Sequence, residues 1–153
     1  MTLFTPMLRN SPLSEIFSDE NTLQGMLDFE AALARACAQC GEIPESAVNV
    51  ISGQCQATKL NSEALAQAAA AAGNLAIPLV KQLTANVKQQ DEQAARYVHW
   101  GATSQDVIDT GLVLQLRQAF SASEDLLETL IGALTEQIQR HQHSVMAGRT
   151  WMQ

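Results

Sequence analysis

Apolar residues recur at three- and four-residue steps along most of the chain, the spacing of amphipathic helix rather than of strand. The first eighteen residues, with Pro6 and Pro12, read as an irregular arm holding a short helical turn at Leu13 to Phe17. Ser18-Asp19-Glu20 then supplies an N-cap and first-turn acids. Leu23, Met26, Leu27, Leu33 and Cys37 continue the stripe, and Gly41 is its expected stop. Pro44 suits the first position of a second helix running to about Thr58. Asn61-Ser62 caps a third, alanine-rich helix to Ala72, which Gly73 ends. Pro78 is placed to open a fourth, through Val87 or a little further, and 91–102 reads as a connection.

The longest stripe comes last. Leu112, Leu116, Ala119, Leu126, Leu127, Leu130, Ile131, Leu134 and Ile138 share one helical face, and no proline interrupts residues 104–142. At 1.5 Å per residue this predicts a rod about 58 Å long. A compact domain of this length has a diameter near about 40 Å. The pattern therefore predicts an elongated helical bundle that oligomerises to cover its stripe, a chain cut short, or both. A new irregular segment begins at Gly148.

Composition agrees with helix. Among 153 residues are 23 Ala, 18 Leu and 16 Gln, all good helix formers, against 5% aromatics. The expected class is all-α. Hydrophobic residues are 46% and charged residues 16%, which suits a packed core rather than disorder. The net charge of −7 argues against a non-specific binder of nucleic acid or anionic membrane. No apolar run is long enough to span a bilayer, and no secretory leader is evident, so a cytoplasmic location is expected. Cys37, Cys40 and Cys55 are odd in number and read as small packing thiols, not as a disulfide framework or a zinc site.

Chemistry concentrates in two places. His99-Trp100-Gly101-Ala102-Thr103-Ser104-Gln105-Asp106 puts an imidazole, two hydroxyls and several backbone N–H groups at the start of the long helix. A helix N-terminus favours anions, so Thr103 and Ser104 are suited either to bind a carboxylate or simply to cap the helix. Thr103 and Asp106 have capping-box spacing, with Asp replacing the usual Glu. His99 offers a general acid, an anion contact, or a structural hydrogen bond. Arg149 and Thr150 form the second group, either a bidentate carboxylate grip or a surface turn. His141 and His143 do not share a helix face, and no metal-ligand spacing, phosphate loop or nucleophile triad is present. No metal site is expected.

The string from His99 to Asp106, continued by Val107-Ile108-Asp109-Thr110, resembles the first signature region of the fumarase/aspartase superfamily. The form is that shared by adenylosuccinate lyases and bacterial 3-carboxy-cis,cis-muconate cycloisomerases. Residues 148–153, Gly-Arg-Thr-Trp-Met-Gln, resemble the start of the second signature, and the stretches 16–20 and 26–36 resemble the N-terminal region of the cycloisomerase branch. The resemblance covers essentially this whole chain but only about the first third of a family member. Two departures select the branch. Trp151 stands where most superfamily lyases carry a His after the Arg-Thr pair, and an indole cannot exchange protons near neutral pH. Adenylosuccinate lyases tend to carry an Arg-Tyr pair near the N-terminus, whereas here Arg9 is followed by Asn10.

The resemblance implies an N-terminal helical domain over 1–102, and over 103–153 the start of a central long-helix bundle cut short. It implies lactonisation of 3-carboxy-cis,cis-muconate to 4-carboxymuconolactone in protocatechuate catabolism, without a cofactor. His99, Thr103 and Ser104 are the catalytic candidates. Thr103, Ser104, Arg149, Thr150 and Trp151 are the substrate-binding candidates. Partners implied are a small tricarboxylate and further copies of the chain, in a homotetramer whose active sites combine three subunits. A third signature, a loop with a catalytic serine, lies downstream of this chain, so Ser104 is not that serine and the chain alone is expected to be inactive. A lyase of the adenylosuccinate type and a non-catalytic oligomerisation module are the alternatives.

Overall fold

The computed structural model describes residues 11–148 and Trp151. All regular structure among them is helical: α1 (Leu13–Ile16), α2 (Asp19–Gln39), α3 (Glu45–Gln54), α4 (Ser62–Ala72), α5 (Ala76–Gln90) and α6 (Ser104–His141), with 3₁₀ turns at Ala57–Lys59 and Ala94–Tyr97. The all-α class is as expected. Two compact units divide the chain, Met1–Ala119 and Phe120–Gln153.

Local capping explains most boundaries in the first unit. The Ser18 hydroxyl accepts the Asn21 N–H at 3.2 Å, and Asn61 Oδ1 accepts the Ala64 N–H at 3.0 Å. Gly73 ends α4 at φ 66°, a left-handed value that costs glycine little. Two starts differ from expectation. Pro44 is the N-cap of α3 rather than its first helical residue, and α3 stops at Gln54, with the 3₁₀ turn taking the chain onward. Helix α5 begins at Ala76, not Pro78, because Asn74 Oδ1 accepts the N–H groups of Ala76 (2.8 Å) and Ile77 (3.3 Å). Pro78 then lies in the first turn, where its missing N–H breaks no helical bond.

The core gathers around α2. Leu27, Ile51, Leu65, Leu79, Leu83, Val87 and Val107 are almost wholly buried, each worth about 1.5–3 kcal/mol of transfer free energy for a side chain of this size. Where α2 meets α6 both helices present glycine. A Cβ built on Gly25 would lie 3.0 Å from the Gly111 carbonyl oxygen, and one on Gly111 would lie 3.1 Å from the Met26 nitrogen. Polar pairs nearby fasten α6 to α2 and to the end of α1. The buried Gln115 donates from Nε2 to the Ile16 carbonyl at 2.8 Å and to the Thr22 hydroxyl at 3.0 Å, and Asn21 Nδ2 donates to Gln118 Oε1 at 3.2 Å.

In the second unit, α6 continues to His141 and carries the apolar stripe in the open. Leu126, Leu127, Leu130, Ile131, Leu134 and Ile138 are all more than half exposed. An Arg140–Glu136 pair at 2.6 Å lies one turn apart near its end. Among the described residues no helix is long and apolar enough to cross a membrane.

Candidate active site

Helix α2 buries the face set by Leu23, Met26, Leu27, Ala31 and Ala34. Glu30 falls on that face, seven residues after Leu23 and three after Leu27, and its side chain is 1% exposed. An isolated buried carboxylate is costly and requires a partner. That partner is His99, sixty-nine residues away, whose Nδ1 lies 2.6 Å from Glu30 Oε1. Among the described residues Glu30 Oε2 has no hydrogen-bond partner. Burial pushes the Glu30 carboxyl above its ordinary range, and the hydrogen bond and charge of His99 pull the other way without cancelling it.

The connection from Asp91 to Thr103 delivers the imidazole. Asp91 Oδ1 accepts the N–H groups of Gln93 (2.7 Å) and Ala94 (3.1 Å), which starts the Ala94–Tyr97 turn. Tyr97 and Trp100 then meet edge to face, with ring centroids 5.7 Å apart. Between them, His99 has φ 59°, the one non-glycine residue with positive φ among those described. A left-handed β-carbon is strained and is retained where its surroundings over-determine it. The Cys37 thiol approaches the Trp100 carbonyl at 4.0 Å, a weak contact from α2 to the same turn.

The chain then enters α6. Asp106 Oδ2 accepts the Thr103 N–H at 2.9 Å, which is one half of the capping box read from the sequence. The other half is not formed: among the described residues no hydrogen bond uses the hydroxyl of Thr103 or Ser104. Thr103 is exposed and Ser104 half-buried at a helix N-terminus. These hydroxyls are available to an outside acceptor.

His99, Thr103 and Ser104 therefore stand within six residues at one turn-to-helix junction, as expected from their sequence spacing. Trp151 lies in the second unit and is 97% exposed. Arg149 and Thr150 lie outside the described residues. Glu30 was not among the residues singled out by motif. The signal was its position in the apolar register of α2. Among the described residues no three His, Cys, Asp or Glu side chains converge as metal ligands would. The arrangement offers a carboxylate-backed imidazole beside hydroxyl donors at a positive helix end, a grouping suited to a proton and a carboxylate.

Residues 7–153 match the family described as Lyase, and the chain belongs to it. The relatives narrow the class. The chain is 52% identical over 151 residues to the 3-carboxy-cis,cis-muconate cycloisomerase of Bradyrhizobium diazoefficiens, which covers 99% of this chain and 34% of the relative. It is also 52% identical to the enzyme of that name from Pseudomonas aeruginosa, covering 99% and 33%. The crystal structure of 3-carboxy-cis,cis-muconate lactonizing enzyme from Pseudomonas putida superposes with a TM-score of 0.90 at 54% identity, over 92% of this chain and 32% of that one. The fold is thus the superfamily lyase fold, and the chain spans about a third of the length of the relatives it matches.

Proposed function

We propose that the protein carrying this chain lactonises 3-carboxy-cis,cis-muconate to 4-carboxymuconolactone. The supporting observation is identity of 52%, over nearly the whole chain, to two enzymes named for that reaction. Trp151, at the position where most superfamily lyases carry a proton-exchanging His, adds weight. In the reaction a substrate carboxylate oxygen adds to one end of a C=C bond. The C–O bond forms, the π pair moves toward the neighbouring carboxylate as an enediolate, and a proton then reaches the carbon beside it. Catalysis needs donors aimed at the developing charge and a proton source.

Thr103 and Ser104 are assigned to a substrate carboxylate at the α6 N-terminus, and their unused hydroxyls support this. Arg149 and Thr150 are assigned to a second carboxylate, and Trp151 to the pocket wall. His99 serves as proton donor or as carboxylate contact. The reading extends to a cofactor-free cytoplasmic homotetramer in protocatechuate catabolism, with the central bundle beginning at residue 103. The exposed apolar stripe of α6 supports assembly. The test follows loss of diene absorbance of 3-carboxy-cis,cis-muconate, using this chain and a longer protein that carries it through the downstream signatures. Adenylosuccinate is the control. Consumption of the diene by the longer protein alone supports the reading. A well-folded longer protein that leaves the diene untouched overturns it, and cleavage of adenylosuccinate would move it to the lyase branch.

A further inference from the structure

We infer that Glu30 is a positioning residue for His99: its buried carboxylate accepts the Nδ1 proton, holds the imidazole as the Nδ1–H tautomer, and leaves Nε2 as the nitrogen facing substrate. The inference rests on the reading that His99 serves the active site. Three observations carry it. The Glu30 Oε1 to His99 Nδ1 distance is 2.6 Å, shorter than an ordinary nitrogen–oxygen hydrogen bond and just below the about 2.7–2.9 Å of charge-assisted ones. Glu30 is 1% exposed while the His99 side chain is 18% exposed, so the pair has a buried carboxylate end and an imidazole end that reaches the surface. Among the described residues no protein group bonds Nε2, so the outer nitrogen is uncommitted.

Stability alone accounts poorly for a carboxylate here. Position 30 belongs to the apolar face of α2, where a leucine of similar volume would avoid the desolvation cost. One of the two oxygens, Oε2, has no partner among the described residues, so the carboxylate is not part of a fully satisfied buried network there. What Glu30 does satisfy is one nitrogen of a residue whose backbone is strained at φ 59°. A base or acid oriented by a third group through its far nitrogen is the arrangement by which imidazoles are held in one tautomer for proton transfer. Glu30 sits mid-helix between buried Leu27, Ala31 and Ala34, so it gives the ring a rigid support.

The tautomer can be read without substrate. Histidine in solution prefers Nε2–H, so the geometry makes a prediction opposite to the default. In ring-¹⁵N-labelled chain, with exposed His143 as the reference, neutral His99 is expected to show the Nδ1–H pattern and the reference Nε2–H. Glu30→Leu should return His99 to Nε2–H while keeping the helical circular dichroism. Glu30→Gln, whose amide oxygen accepts the same proton, should retain Nδ1–H. In the longer protein, Glu30→Leu should lower kcat about 10- to 100-fold with little change in KM, and Glu30→Gln should recover part of the loss. An Nε2–H pattern for His99 in the unmodified chain overturns the inference, as does a Glu30→Leu protein with normal kcat. Should Glu30→Leu fail to fold, the tautomer of the unmodified chain and of Glu30→Gln decides. A failed diene assay would count against the proposed reaction, whereas the tautomer result stands apart from it.

Discussion

Gly25→Ala separates two effects that usually travel together. Alanine in a helix is favoured over glycine by about 1 kcal/mol, so at an open position the change stabilises. At Gly25 the position is not open. The new Cβ would meet the Gly111 carbonyl oxygen at 3.0 Å and its Cα at 3.3 Å, and both are backbone atoms that move only if a helix moves. Forcing a methyl into a close-packed crossing costs about 1–3 kcal/mol, so once the propensity gain is subtracted the net expectation is a loss of up to about 2 kcal/mol. The control lies in the same compact unit. Gly53 is helical with nothing within 4 Å of its would-be Cβ, so Gly53→Ala should gain up to about 1 kcal/mol. Gly111→Ala should fall on the destabilising side, although its nearest contact, Met26 Cγ at 3.0 Å, is a side-chain atom better able to yield. Urea midpoints by circular dichroism at constant slope give the three values, and thermal midpoints should move by about 2–4 °C per kcal/mol. If Gly25→Ala stabilises the chain as much as Gly53→Ala does, the helices do not touch through their glycines and the packing account fails.

Further tests address pH, thiols and caps. Burial holds Glu30 above its ordinary 4.5, so the folded chain binds that proton more tightly than the unfolded chain. Its contribution to stability is complete below 4.5 and is lost as pH rises through the raised value. Glu30→Gln cannot ionise, so the stability difference between variant and parent should shift toward the variant as pH rises through that window. A difference that stays constant from acid to neutral refutes the assignment. The Cys55 thiol is pushed up to about 12, first by burial and then by the charges of Glu30 and Asp28. Exposed Cys40 should react fastest with a disulfide reagent at mildly alkaline pH, half-buried Cys37 more slowly, and Cys55 only on unfolding; three fast thiols would contradict this. Asn74→Ala removes the acceptor for two N–H groups at the start of α5 and should cost about 1 kcal/mol in a denaturant titration. Thr103→Ala and Ser104→Ala in the longer protein should lower turnover of the diene with the oligomer intact. A stability loss of about 1 kcal/mol per residue with normal turnover would instead mark them as caps.

What was legible in the sequence was what is decided locally. Ser18, Asn61 and Gly73 act on neighbours within four residues, so their helix boundaries follow from type and spacing. The start of α5 differs from the expectation at Pro78 because proline signals only its own fixed φ, whereas the Asn74 side chain supplies the cap two residues before Ala76. The His99–Asp106 string stands out as a candidate site because its unusual residues are contiguous. Glu30 and Gln115 were not marked. Each lies on a buried helix face, and each finds its partners 69 to 99 residues away, at His99 for one and at Ile16 and Thr22 for the other. A polar residue inside an apolar register states that a partner must exist, but periodicity says nothing of which one.

The glycine crossing and the Glu30–His99 pair are two parts of one geometry. Helices α2 and α6 run past one another in opposite senses. Gly111 faces Gly25, and four residues further along α6 Gln115 reaches back to Thr22, three residues earlier on α2. Gln118 reaches Asn21 in the same sense. Going the other way from the crossing, Glu30 lies five residues along α2, about 7.5 Å, and Ser104 lies seven residues back along α6, about 10 Å. Both paths lead to the turn that holds His99. A glutamate side chain is short, so it bonds an imidazole on the segment leading into the neighbouring helix only when the two helix axes lie close together. The two missing β-carbons permit that approach, and the Gln115 and Asn21 clamps secure the far side. A methyl at position 25 would therefore act as a spacer whose effect is felt at the Nδ1–Oε1 distance as well as in stability. The imidazole of Gly25→Ala should show a partial return to the Nε2–H tautomer even though residue 25 touches neither His99 nor Glu30 by a side chain.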